Sequence, residues 1–82
     1  MEKTIIEKKL IQILQKKTNV KLKNVSKNDD LYIKGIVDSF DMLSILSETE
    51  NKFNCKIKLE KIKDFKFSVN FLTKVISNKL NK

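Results

Sequence analysis

Histidine is absent from the chain and cysteine occurs once, at position 55, so neither a Cys-His nor a Ser-His-Asp arrangement can be assembled from its own side chains. A single cysteine also excludes an intramolecular disulfide and a cysteine-based metal cluster, and Cys55 reads as a half-buried thiol. Any serine that does chemistry here has to be activated by another protein. Ser39 is the candidate because of its neighbours: Asp38 before it, Asp41 two residues on, and the apolar Phe40 and Leu43 beside it. Asp is a favoured N-cap, so Asp38-Ser39 marks a helix start. The first turn of that helix presents unpaired backbone N–H groups and the positive end of the dipole, which favours an anion there.

The charge around this point is unusual for the chain. All 18 basic residues are lysine and the net charge is +8. Residues 1–27 hold two acidic side chains against eight lysines, and residues 52–82 hold two against nine, giving +6 and +7. Between them, Asp29, Asp30, Asp38, Asp41, Glu48 and Glu50 face the single Lys34, a net of −5. The absence of arginine and the abundance of lysine, asparagine and isoleucine read as codon bias, so the sum alone does not define a partner. The acidic island, by contrast, needs an explanation.

The elements that must position Ser39 follow from the apolar periodicity. Ile6, Leu10, Ile13 and Leu14 recur at i, i+4, i+7 and i+8, which predicts an amphipathic helix from Thr4 to about Lys17. From Thr18 to Val37 the period is lost, turn-prone Asn24, Ser26, Asn28 and Asp29 appear, and the only glycine, Gly35, is found. This predicts a long loop pinned by Val20, Leu22, Val25 and Leu31, and loops of this length are often functional. A second helix is expected from Asp38-Ser39 to about Phe53. Met42, Ile45, Leu46, Thr49 and Phe53 share its core face, while Phe40, Leu43, Ser44, Ser47 and Asn51 share the opposite one. One or two helical turns are expected around Ile57, Leu59, Ile62 and Phe65. A last helix, capped by Ser68, is expected to run to Leu80 with Val69, Phe71, Leu72, Val75, Ile76 and Leu80 inside.

The stretch Gly35-Ile36-Val37-Asp38-Ser39-Phe40 resembles the attachment motif of the acyl carrier protein family, which includes peptidyl and D-alanyl carrier proteins. Asp41, the run Met42-Leu43-Ser44-Ile45-Leu46, Phe53 fourteen residues after the serine and Ile57 eighteen after it match that family's second helix and following loop. The likeness extends to Thr4–Leu14 and to Phe67-Ser68-Val69. It implies one carrier domain over residues 1–82, an all-α four-helix bundle with three longer helices, a short third helix and a long first loop. Ser39 is then the site of covalent 4'-phosphopantetheine, transferred from coenzyme A by a magnesium-using phosphopantetheinyl transferase. Asp38, Phe40, Asp41, Leu43, Glu50 and Ile57 fall on the family's partner-recognition positions, which accounts for the acidic island.

The implied role is that of a carrier rather than an enzyme. It holds an acyl or aminoacyl group as a thioester, loaded by an activating ligase and passed to an acyltransferase or synthase. Ser44 and Asn51 stand where fatty-acid carriers have glutamates, and Gly35-Ile36-Val37 is closer to the D-alanyl style, which points to a specialised pathway. No apolar run reaches the roughly 20 residues of a membrane span and no signal-peptide core is present, so the expectation is a cytoplasmic monomer without membrane insertion. The rival reading is a small basic helical module that binds nucleic acid or an anionic surface. Against it, the lysines are spread over several helix faces and the best loop–helix junction is acidic.

Overall fold

The computed structural model describes residues 2–18 and 25–80, and within them every regular element is helical. Helix α1 spans Lys3–Thr18, α2 spans Ser39–Phe53 and α3 spans Val69–Leu80. A single 3-10 turn, Leu59–Lys61, lies between α2 and α3. The expected one or two helical turns around Ile57 to Phe65 are thus one short turn. Its start, Lys58, offers no side-chain cap, and Asp64 adopts a left-handed backbone with φ of 56°, so the segment is not propagated as α-helix.

The predicted apolar stripe of α1 is its buried face: Ile6, Leu10, Ile13 and Leu14 are all inside. Lys16 and Lys17 in its last turn sit at the negative end of its dipole. Helix α1 packs against both α2 and α3 and so forms the middle of the domain. From α2 come Ile45, Leu46, Thr49 and Phe53, and from α3 come Val69, Leu72, Thr73, Ile76 and Ser77. Phe71, Val75 and Leu80, predicted on the buried side of α3, are half-buried at its edge. Full burial of a side chain such as Leu10 or Leu72 contributes about 1.5–3 kcal/mol, so this shared core is the main source of stability.

The buried hydroxyls are satisfied locally: Thr49 donates to the Ile45 carbonyl and Thr73 to that of Val69, each at 2.7 Å. Neither leaves an unpaired polar group in the core. Ser68 caps α3 as predicted, its Oγ accepting the Phe71 N–H at 3.1 Å. Phe65 stacks edge-on against Phe71 with ring centroids 5.4 Å apart and leans on Phe67, closing the domain beside that helix start. Of the predicted loop anchors, Leu31 is buried and Val25 half-buried, while Val20 and Leu22 lie outside the described residues.

Candidate functional site

Although residues 25–37 form no regular element, their backbone is closely specified. Asp30 holds three N–H groups at once: Oδ1 accepts from Tyr32 and Ile33, both at 3.0 Å, and Oδ2 accepts from Phe67 at 3.1 Å. The Leu31 N–H then donates to the Phe67 carbonyl at 3.0 Å, which ties the loop to the segment before α3. Two further bonds reinforce the tie, from the Asn70 N–H to the Lys27 carbonyl and from the Asn70 amide to Asn28 Oδ1. Asp29 is used in the same way, accepting the Ser26 N–H at 2.9 Å and pairing with Lys34 at 3.2 Å. Those partners, the Ser26 N–H first and then the Lys34 ammonium, hold the Asp29 carboxyl below its ordinary range.

The turn that follows delivers the chain to α2. Gly35 has φ of +75°, a left-handed conformation costly for a side-chain-bearing residue, and its N–H donates to the Tyr32 carbonyl. Ile36 and Val37 both donate to the Leu31 carbonyl, and Val37 is buried, so the backbone reaches Asp38 with a fixed direction. Asp38 is the N-cap in extended conformation: its Oδ1 accepts the Asp41 N–H at 2.7 Å while Asp41 reaches back to the Asp38 N–H at 3.4 Å. This reciprocal box satisfies two backbone donors of the helix start.

Ser39 is therefore the first residue of α2, exposed, and not the group that caps it. Among the described residues, the N–H groups of Ser39 and Phe40 are not taken up by the box, and both point out of the helix end. Phe40 is 81% exposed and Leu43 58% exposed, as the helical wheel requires for the face away from the core. In the loop before α2, Ile33 is 80% exposed and Tyr32 48%, so apolar side chains face outward there as well as on α2. The sequence reading missed this second pair. Its signal was Asp30 just ahead of Tyr32-Ile33, where an Asx-type turn can hold both N–H groups and turn the side chains outward.

The remaining predicted site residues are placed differently. Ile57 is buried in the core, and its N–H donates to Glu50 Oε2 at 2.7 Å, seven residues back along the chain. Glu50 is half-buried and so holds the post-helix loop against α2, with acceptor capacity remaining on its carboxylate. Helix α2 ends at Asn54, left-handed at φ of 51°, which lets the loop turn back toward that contact. Cys55 beside it is half-buried, and burial pushes its thiol above the ordinary value. Glu48 pairs with Lys17 at 3.1 Å and Lys16 at 3.7 Å, and the Lys17 ammonium above all holds its carboxyl below the usual range. Much of the acidic island thus has work within the molecule.

Chemically, the site offers an exposed serine at a helix start, beside two carboxylates that each spend one oxygen on capping. Asp38 Oδ1 is occupied by the Asp41 N–H, and the chain has no histidine. Among the described residues, no three His, Cys, Asp or Glu side chains gather as a metal site, and no helix is long and apolar enough to cross a membrane. No family model, no curated protein and no solved structure matches the chain.

Proposed function

We propose that the chain is a carrier domain of acyl-carrier type, with Ser39 as the attachment point of a 4'-phosphopantetheine arm. The observation that carries this reading is the exposed Ser39 hydroxyl at the first position of α2, on a helix whose capping is done by Asp38 and Asp41. A serine at the first helical position beside an Asp N-cap is by itself a common helix start. What sets Ser39 apart is its exposure beside the outward-facing Phe40 and Leu43, within the Gly35–Phe40 stretch that resembles the attachment motif.

The residues present fit the group. A phosphodiester on Ser39 Oγ lies at the positive end of the α2 dipole, next to the unengaged N–H groups of Ser39 and Phe40. Its repulsion from Asp38 and Asp41 is weak, because both carboxylates are solvated and an exposed pair interacts by about 1 kcal/mol or less. The arm's thiol supplies thioester chemistry, and the protein supplies the tether and the surface that partners read. Phe40, Leu43 and the carboxylates of Asp38 and Asp41 form that surface in this reading, and Glu50 adds its remaining acceptor capacity. In this reading the short 3-10 turn Leu59–Lys61 is the counterpart of the short third helix that the resemblance implies. A specialised biosynthetic pathway, with a dedicated activating ligase, is the setting that fits Ser44 and Asn51 on α2.

The test is direct. The purified protein is incubated with coenzyme A, magnesium and a promiscuous phosphopantetheinyl transferase, and its intact mass is measured. A gain of one phosphopantetheinyl group that Ser39→Ala abolishes supports the reading. No gain by a folded protein overturns it.

A further inference from the structure

Two adjoining depressions run between α1 and α2 and share Glu48 and Lys52, so they form one open groove. The larger part encloses about 570 Å³ and the smaller about 140 Å³. Lysines dominate the walls: Lys9, Lys16 and Lys17 from α1 and Lys52 from α2, with Glu48 as the one acidic group, a local charge of +3. Lys9, Gln12 and Lys16 lie at i, i+3 and i+7 and so form one stripe along α1. On the α2 side, Ser44, Ser47 and Asn51 add hydroxyl and amide groups.

The position of this groove relative to Ser39 follows from helix geometry. Glu48 is nine residues beyond Ser39, which at 3.6 residues per turn places it on the opposite flank of α2. A molecule centred on Glu48 leaves the first turn of α2 open, although Ser44, Ser47 and Asn51 bring the groove's edge to the face that carries Phe40 and Leu43.

We propose that the α1–α2 groove is a docking site for an acidic segment of a partner protein, centred on Glu48, about two and a half turns along α2 from Ser39. The binding itself does not depend on the carrier reading; only the consequence for Ser39 rests on it. Charge complementarity names the occupant. Glu48 already engages Lys16 and Lys17 through a carboxylate, so the same geometry accepts carboxylates from outside, and Ser44, Ser47 and Asn51 can serve a peptide backbone. A nucleic-acid strand fits poorly, since no aromatic side chain lines the groove for base stacking and Glu48 opposes a dense row of phosphates. An anionic membrane fits poorly too, because the groove is concave and the apolar stripe of α1 is spent on the core.

The experiment uses isotopically labelled Ser39→Ala protein titrated with a synthetic oligoglutamate peptide at about 0.15 M salt, where long-range attraction is screened. Amide shifts are expected to move at Ser44, Ser47, Glu48 and Asn51. A variant with Lys9, Lys16, Lys17 and Lys52 all changed to Gln should bind roughly tenfold more weakly or worse, about a twofold loss for each ion pair removed. A control with Lys58, Lys61, Lys63 and Lys66 changed to Gln carries the same charge loss on exposed positions and should bind within about twofold of the parent. Equal weakening in both variants, shifts scattered over the surface, or no binding overturns the proposal. So does tighter occupation of the same residues by single-stranded DNA or by phosphatidylserine vesicles. In the parent protein, transfer to Ser39 should proceed unchanged with the peptide bound. Transfer blocked only by the peptide overturns the claim that the first turn of α2 stays open, whereas failure of transfer without peptide counts against the carrier reading and leaves the groove standing.

Discussion

Asp30 is the residue whose replacement tests the positional argument most sharply. Its two oxygens accept three N–H groups, two on Oδ1 and one, from the part-buried Phe67 backbone, on Oδ2. Asparagine has nearly the same shape but only one acceptor oxygen. If Asn keeps the Tyr32 and Ile33 bonds, its NH2 group meets the Phe67 N–H donor to donor, and that N–H loses its partner. Leaving such a group unsatisfied costs about 1–3 kcal/mol, so Asp30→Asn should destabilise by about 1–2 kcal/mol given partial solvent access. For a domain of this size that lowers Tm by about 4–16 °C. Asp30→Ala removes all three acceptors and should cost about 2–4 kcal/mol, less than three full penalties because the Tyr32 and Ile33 N–H groups can turn to water. Thermal unfolding followed by circular dichroism measures both. In parallel, the same changes at Asp38 should separate, since Asn caps a helix as well as Asp does: Asp38→Asn is expected to be near neutral and Asp38→Ala to cost about 1 kcal/mol. Equal stability of Asp30→Asn and the parent would refute the claim that both oxygens are needed, and with it the argument that this side chain sets the path into Ser39.

Glu50→Ala should lose about 1–2 kcal/mol through the Ile57 N–H, while Glu50→Gln keeps an acceptor and should stay within about 0.5 kcal/mol, as read by urea unfolding. Phe40→Ala and Leu43→Ala, both on the exposed face, should unfold within about 0.5 kcal/mol of the parent and yet slow transfer to Ser39. Asp29 and Glu48 are both depressed in the folded state, so the stability they add is present above their unfolded values of 3.8 and 4.5 and is lost as pH falls through their lower folded values. The double variant Asp29→Asn, Glu48→Gln should accordingly show a shallower fall of Tm between pH 5 and pH 3 than the parent, by about the contribution of two exposed pairs. Cys55 is raised from 9.0 by burial, so iodoacetamide at about pH 8.5 should label it several-fold more slowly in the native protein than in urea, with mass spectrometry as the readout.

The three α-helices were legible because each carries a continuous apolar stripe and, at α2 and α3, a side chain that can cap. Ile6, Leu10, Ile13 and Leu14 fell inside as their spacing required, and Asp38 and Ser68 stand at the starts they were expected to mark. The stretch around Leu59 was less legible: its apolar residues are compatible with a helical turn, but nothing in their spacing reports the left-handed Asp64 that interrupts it. Phe40 and Leu43 are exposed as the wheel of α2 predicted, and Ser39 beside them is exposed too. The carboxylates were the hardest to read. Charge counting treats Asp29, Asp30, Glu48 and Glu50 alike, yet each is distinguished by backbone or lysine partners that only the fold brings near. Asp30 and Phe67 are 37 residues apart, and no local pattern announces such a bond.

That long separation also governs the order in which the molecule can be made. Helix α1 and helix α2 each complete their hydrogen bonds from nearby residues, but the segment leading into Ser39 is tied to Phe67 and Asn70. During synthesis, the stretch that carries the serine leaves the ribosome well before the residues that fix its approach. Contacts this distant along the chain close late, after the entropy of the intervening loop has been spent. The serine's surroundings therefore take their final shape only when α3 has begun to dock, and a chain cut short of Phe67 would expose the same motif without the geometry that presents it.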